Sequence, residues 1–159
     1  VHRNVANICP HTDFNCLSVL EFAINILNVR HVIVCGHYGC GGVKSAMKDH
    51  HLGLVDNWLR HIRDVYSRFK DELDAIENEK ARCNRLVELN VIQQVQNVCH
   101  TTIVQEAWNR GQFLCVHGWV YDLQSGKLKG LNCCISSVDQ VDSIYRDALL
   151  SISRWGTAP

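Results

Sequence analysis

The chain has 159 residues, 47% of them apolar, and its 16 basic residues balance its 16 acidic ones. This length suits a single domain over residues 1–159. Balanced charge argues against binding of nucleic acid or anionic membranes, and no apolar run approaches the roughly 18–20 residues of a membrane span. We therefore expect a soluble, cytoplasmic protein with a small neutral or anionic ligand.

The first half of the chain predicts alternating helices and strands. Thr12 or Asp13 is expected to cap an amphipathic helix, because apolar residues follow at helical spacing: Leu17, Leu20, Ile24 and Leu27. Residues 31–35, HVIVC, form a β-branched run that ends at a glycine, which indicates a strand buried on both faces, as in a parallel sheet. A second helix is expected to begin near Val43.

The second half predicts longer helices and a hairpin. Apolar spacing predicts a helix after Leu54 and helical structure with an interruption over 79–110, while residues 113–135 resemble two strands joined by a turn. Ser137 and Gln140 suggest a capping box for a last helix. These elements predict an α/β fold: a mostly parallel β-sheet with an antiparallel edge strand, flanked by helices.

A glycine-rich turn follows the predicted strand and places His37 two residues before Cys40. Imidazole and thiolate suit zinc, and functional groups of open α/β sheets lie beyond the carboxyl ends of strands. H-x-x-C alone is weak evidence, however. The residues could equally be a hydrogen-bonded histidine and a buried thiol; a phosphate-binding loop or a redox pair with Cys35 fits the spacing less well.

The remaining cysteines and histidines have simpler interpretations. Nine cysteines is an odd number, and several lie in apolar runs where free thiols are expected to be buried: Cys16, Cys35, Cys99 and Cys115. His50 and His51 are interpreted as an exposed loop pair. For His100 and His117 a structural role is favoured over metal binding.

Six segments, in order, carry a family resemblance: HRNVAN (2–7), HTDFNCLSV (11–19), VIVCGHYGCGGV (32–43), LGLVDNWLRHIRD (52–64), ELNVIQQV (88–95) and HGWVYD (117–122). Together they resemble the β-class carbonic anhydrases, particularly the bacterial subgroup regulated by bicarbonate. The resemblance implies that His37 and Cys40 are ligands of one Zn²⁺ per subunit. It also implies that Val5 lines a CO₂ pocket and that the Gly41 N–H holds a substrate oxygen.

The same resemblance implies an activity and partners. The expected reaction is reversible hydration of carbon dioxide to bicarbonate and a proton, by a homodimer or homotetramer. Arg3 and Tyr121 match two residues that bind a regulatory bicarbonate in the subgroup. The alternative is a catalytically silent relative that senses bicarbonate as a binding or regulatory subunit.

One family motif is missing. Cys-X-Asp-X-Arg, which supplies the first cysteine ligand and a gating Asp–Arg pair, occurs nowhere in the chain. The family order would put it upstream of Val1, together with a strand and N-terminal helices. We therefore identify no catalytic Asp–Arg pair here, and expect an N-terminally truncated chain that is inactive and poorly stable alone.

Overall fold

A computed structural model describes residues 1–48 and 51–153, so the predicted position of His50 lies outside the described residues. The helices and strands are α1 (Phe14–Glu21), β1 (His31–His37), α2 (Gly41–Ala46), α3 (Val55–Arg68), α4 (Lys70–Asp74), α5 (Glu79–Cys99), α6 (Thr102–Asn109), β2 (Cys115–Asp122), β3 (Lys127–Ile135) and α7 (Val141–Ser153). None of these helices is both long and apolar enough to cross a membrane.

The described strands form one sheet in the order β1-β2-β3. β1 and β2 are parallel, with His31 opposite Cys115 and His37 opposite Tyr121. β2 and β3 are antiparallel and form the predicted hairpin. The predicted α/β fold with an antiparallel edge strand is thus confirmed, and β1 occupies the other edge of the described sheet.

Most helix predictions are confirmed, with one error in capping. Asp13 caps α1 by accepting a hydrogen bond from the Asn15 N–H at 3.0 Å, and the helical segment over 79–110 is interrupted between α5 and α6. The capping box at Ser137 was wrong, since that side chain makes no cap bond. Gln140 instead accepts from the backbone N–H of Ser136 at 3.0 Å.

The burial of β1 differs from the prediction. Val34 and Gly36 are buried, but Ile33 is 45% exposed and Cys35 is also exposed. Helix α5 packs on one face of the strand, whereas the opposite face borders an open groove. The predicted burial of Cys35 was therefore wrong, while Cys16, Cys99 and Cys115 are buried as predicted.

A buried amide ladder on α5 fixes the N-terminal segment. Asn90 Nδ2 donates to the Ala6 carbonyl at 3.0 Å, and Gln94 Oε1 accepts from the Cys9 N–H at 2.9 Å. Gln94 Nε2 also donates to Asn90 Oδ1 at 3.0 Å, so the two amides support each other. Both side chains are almost fully buried, and their polar groups are satisfied by one another and by backbone.

Gly36 allows α5 to approach β1 closely. A Cβ at this position would lie 2.6 Å from Val91 Cγ2 and 3.4 Å from Val87 Cγ1. We expect Gly36→Ala to lower the free energy of unfolding by about 1–3 kcal/mol through overpacking. Urea denaturation measures this.

Gly130→Ala on β3 is the matched control, because the nearest atoms to its added Cβ lie 4.0 Å away, on Trp119. We expect it to change stability by less than about 0.5 kcal/mol. Equal effects of the two substitutions would contradict a tight α5–β1 contact.

Candidate metal centre

His37 and Cys40 lie on a sharp turn between β1 and α2. His37 is the last residue of β1 and is half-buried, and Cys40 precedes α2 and is 4% exposed. Gly39 has φ +74°, in the left-handed region that favours glycine, and this lets the chain reverse within two residues. The turn therefore places an imidazole and a thiol beyond the carboxyl end of a parallel strand.

A charged network holds this turn in place. Tyr38 OH donates to Glu88 Oε1 at 2.5 Å, and Lys129 Nζ lies 2.8 Å from the same oxygen. Arg85 Nη1 lies 3.4 Å from the other Glu88 oxygen. Burial, reinforced by the bond to Glu88, raises the pKa of Tyr38, so its hydroxyl stays a donor. The turn is thereby attached to both α5 and β3.

Arg3 and Tyr121 border the same groove as His37. This cavity has a volume of about 810 Å³ and is lined by residues of the N-terminal segment, α1, β1 and β2, including these three. Tyr121 is opposite His37 in the strand register and is 37% exposed. The structure therefore brings three of the sequence-predicted site residues to one cavity.

Val5 and Gly41 lie beside the turn but do not line this cavity. The Val5 carbonyl accepts from Trp58 Nε1 at 2.8 Å, which attaches the segment to α3. A Cβ on Gly42 would come within 2.9 Å of Val5 Cγ1, so Val5 packs against the start of α2. Gly41 itself is exposed, and a Cβ there would meet nothing within 4 Å.

Two groups of residues around cysteine thiols were not predicted from the sequence. Cys83 is buried on α5 near Cys40, and burial, followed by the charge of Cys40, raises the pKa of the Cys83 thiol. Within residues 1–48 and 51–153, one group of at least three potential metal ligands occurs: His31, Cys115 and His117. The sequence feature that indicates this group is the C-x-H spacing on β2, which places Cys115 and His117 on one face of the strand.

The donor chemistry fits half of a zinc site. Imidazole nitrogen and cysteine sulfur are the ligands Zn²⁺ prefers, and it takes three or four of them from a protein. His37 and Cys40 belong to no larger group of potential ligands among the described residues. Asn7 lines the neighbouring cavity, and its side-chain Nδ2 is buried without a hydrogen-bond partner.

Solved structures define the class of this protein. The chain aligns over its full length with a Coccomyxa β-carbonic anhydrase solved with acetazolamide, with a TM-score of 0.88, 35% identity and 72% of that chain covered. A tetrameric β-carbonic anhydrase from Sordaria macrospora gives a TM-score of 0.80 at 39% identity, over 86% of this chain and 69% of that one. The fold is that of the β-class carbonic anhydrases.

The chain belongs to the carbonic anhydrase family, whose model matches residues 1–128. A carbonic anhydrase of Emericella nidulans is 50% identical over 132 residues, which cover 83% of this chain and 58% of the relative. One from Pseudomonas aeruginosa is 33% identical over 138 residues, covering 83% and 61%. The chain thus spans about three-fifths of the length of these curated relatives.

These relatives come from a fungus and a bacterium, so assignment to the bacterial bicarbonate-regulated subgroup stays a prediction. Both carry the name of an enzyme. The alternative of a catalytically silent subunit gains no support from them.

Proposed function

We propose that this chain forms part of a zinc enzyme that reversibly hydrates carbon dioxide to bicarbonate and a proton. His37 and Cys40 are two of the protein ligands in this proposal. The observation that carries it is their placement on a fixed turn at the carboxyl end of β1, in a chain of the carbonic anhydrase family. Zn²⁺ held by these residues would supply a hydroxide nucleophile near neutral pH, because a bound metal ion lowers the pKa of water.

The residues of the chain have separate tasks around that nucleophile. The hydrogen bond from Tyr38 to Glu88 orients the turn, so that the imidazole and thiol keep a fixed separation. Cys40 is shielded from water, whereas half-buried His37 borders the open cavity.

We assign substrate contacts to Val5 and Gly41. Val5 supplies an apolar wall for CO₂, which has no net dipole and cannot compete with water for polar groups. Gly41 is exposed at the start of α2, where its N–H donates to a substrate oxygen. Their support is the packing of Val5 on the start of α2 and the family resemblance of HRNVAN.

The resemblance also implies a third protein ligand, the cysteine of Cys-X-Asp-X-Arg, which none of the 159 residues provides. The gating aspartate and its arginine belong to the same motif. Activity is therefore proposed for the complete protein that combines this motif with the present chain.

Zinc analysis and a CO₂-hydration assay on that complete protein test the proposal. We expect bound zinc and a rate above the uncatalysed reaction that chelation abolishes and zinc restores. Absence of hydration by zinc-loaded, folded protein would contradict the proposal.

We further propose that Arg3 and Tyr121 bind a regulatory bicarbonate. A guanidinium offers paired donors to a planar oxyanion, and a phenol adds one more. Both residues line the cavity that His37 borders, and Tyr121 is opposite His37 in the strand register, which supports an anion site in this cavity.

Arg3→Ala is expected to leave zinc content unchanged and to weaken inhibition by bicarbonate at least about tenfold, because one charge-assisted contact contributes roughly 1.5–3 kcal/mol. Rates measured across a bicarbonate series test this. Arg60→Ala is the matched control, since Arg60 is an exposed arginine on α3 that does not line the cavity. An unchanged bicarbonate response in Arg3→Ala would exclude the regulatory assignment.

We also propose that the complete protein forms a homodimer or homotetramer in the cytoplasm. Large apolar residues of α1 and of the helical segment that continues it over 22–27 are more than half exposed: Phe14, Phe22, Ile26 and Leu27. Such a concentration is typical of an interaction surface, and the Sordaria relative is described as tetrameric. Light scattering on the complete protein gives the subunit number, and a monomer would contradict this assignment.

A further inference from the structure

A second group of soft ligands lies at the opposite end of the sheet from His37. His31 and Cys115 are opposite each other at the first positions of β1 and β2, and His117 follows two residues later on the same face of β2. His31 and His37 are six positions apart along the extended strand, a distance of about 20 Å. This cluster is therefore separate from the turn that carries His37 and Cys40.

The geometry of the cluster suits a single metal ion. One potential ligand atom from each of His31, Cys115 and His117 lies within 4.8 Å of the others. His31 Nδ1 and His117 Nε2 are 3.0 Å apart. Tetrahedral zinc, with bonds of about 2.0–2.3 Å, brings its ligand atoms to roughly 3.3–3.8 Å from one another. Small side-chain rotations would close the remaining difference.

Cys134 is the candidate for a fourth ligand, although its thiol lies outside the group of three. It is opposite His117 on β3, and burial followed by the proximity of Cys134 raises the pKa of the Cys115 thiol. Cys134 is exposed while Cys115 is buried, so an ion can reach the cluster from solvent. Rotation of the Cys134 side chain towards the group would bring two thiols and two imidazoles together from three strands, a donor set typical of tetrahedral zinc.

The surroundings favour a neutral His117 imidazole and restrain the orientation of both histidine rings. Burial and the neighbouring His31 lower the pKa of His117, which keeps its ring uncharged at neutral pH. Phe113 contacts the His31 ring edge-on at a centroid distance of 5.9 Å, and Trp119 lies 5.8 Å from the His117 ring. These aromatic walls limit ring rotation and exclude water from one side of the cluster.

We propose that His31, Cys115, His117 and Cys134 form a second metal site, which binds Zn²⁺ and joins β1, β2 and β3 at this end of the sheet. Binding displaces one proton from each thiol to solvent, so the charge of the loaded site equals that of the empty one. The imidazole that donates in the present His31–His117 hydrogen bond moves its proton to its other ring nitrogen.

Co²⁺ titration of the complete protein tests the site, with His37→Ala as background so that the family site does not contribute. We expect about one Co²⁺ per chain, with the near-ultraviolet band of thiolate-to-cobalt charge transfer and visible bands of tetrahedral cobalt. His31→Gln should weaken this binding at least tenfold, because it removes a ligand at an exposed position where folding is not at risk. His100→Gln, another exposed histidine, should leave it unchanged.

Alkylation of the two exposed cysteines gives a second readout. Zn²⁺ should slow the reaction of Cys134 with iodoacetamide at least tenfold and leave Cys35 unaffected. A cobalt spectrum without sulfur ligation, or His31→Gln binding as tightly as its parent, would overturn the site. Equal reaction of Cys134 with and without Zn²⁺ would overturn the proposed ligand set.

Discussion

His37→Ala in the complete protein is expected to lower zinc affinity and CO₂ hydration by more than about a hundredfold. Changes to groups that only support a metal ligand cost 10–100-fold, so loss of the ligand itself should cost more. The half-buried imidazole borders the cavity, so the truncation should leave the fold intact. Zinc content in a His31→Gln background, which removes the contribution of the second proposed site, hydration rate and far-ultraviolet circular dichroism together measure these effects.

His100→Ala is the matched control, because His100 is an exposed histidine that follows the end of α5. It should keep wild-type zinc and rate. If His37→Ala also keeps both, the metal assignment at the turn is wrong; if His100→Ala loses both, the effect is not specific to the turn.

Glu88→Ala is expected to lower the free energy of unfolding by about 3–5 kcal/mol, because removing one partner of a buried ion pair leaves the other charge uncompensated. Glu88 and Arg85 are each 7% exposed. Arg85 keeps one further ion pair, with Glu72 at 3.2 Å, which places the expected cost near the lower end of this range. Chemical denaturation monitored by fluorescence measures the change.

The same substitution should also weaken zinc binding, since Tyr38 loses the acceptor that holds the metal turn. Glu88→Gln separates the two effects: it removes the charge but keeps an oxygen that can accept from Tyr38. Glu106→Ala on α6, an exposed glutamate, is the control and should change stability by less than about 0.5 kcal/mol. A loss in Glu88→Ala no larger than in this control would mean that the network adds no stability.

Local patterns predicted the elements of this fold because each is encoded within a few residues. Helix α1 and the β2–β3 hairpin follow from spacing, caps and turn residues alone. Burial of β1 could not be predicted in the same way. A run of β-branched residues shows that a strand forms, whereas the exposure of Ile33 and Cys35 depends on what covers each face of the sheet.

The candidate metal ligands also differ in how far they could be predicted from local sequence. His37 and Cys40 are neighbours in sequence, so their chemistry was visible as a motif, and the family resemblance gave it a function. His31 and His117 are separated by 86 positions and meet only because β1 and β2 pair in parallel with one particular register. No local pattern specifies that register, which is why a structural role for His117 was favoured.

The amide ladder on α5 has a consequence for the order of folding. Its contacts join Ala6 to Asn90 and Cys9 to Gln94, positions 84 and 85 residues apart. Contacts of such long range are costly to form, because the intervening loop must first be closed. We therefore expect the segment that carries Arg3 and Val5 to dock onto an already formed α5, and the amide hydrogen of Cys9 to exchange with solvent only when that docking is undone.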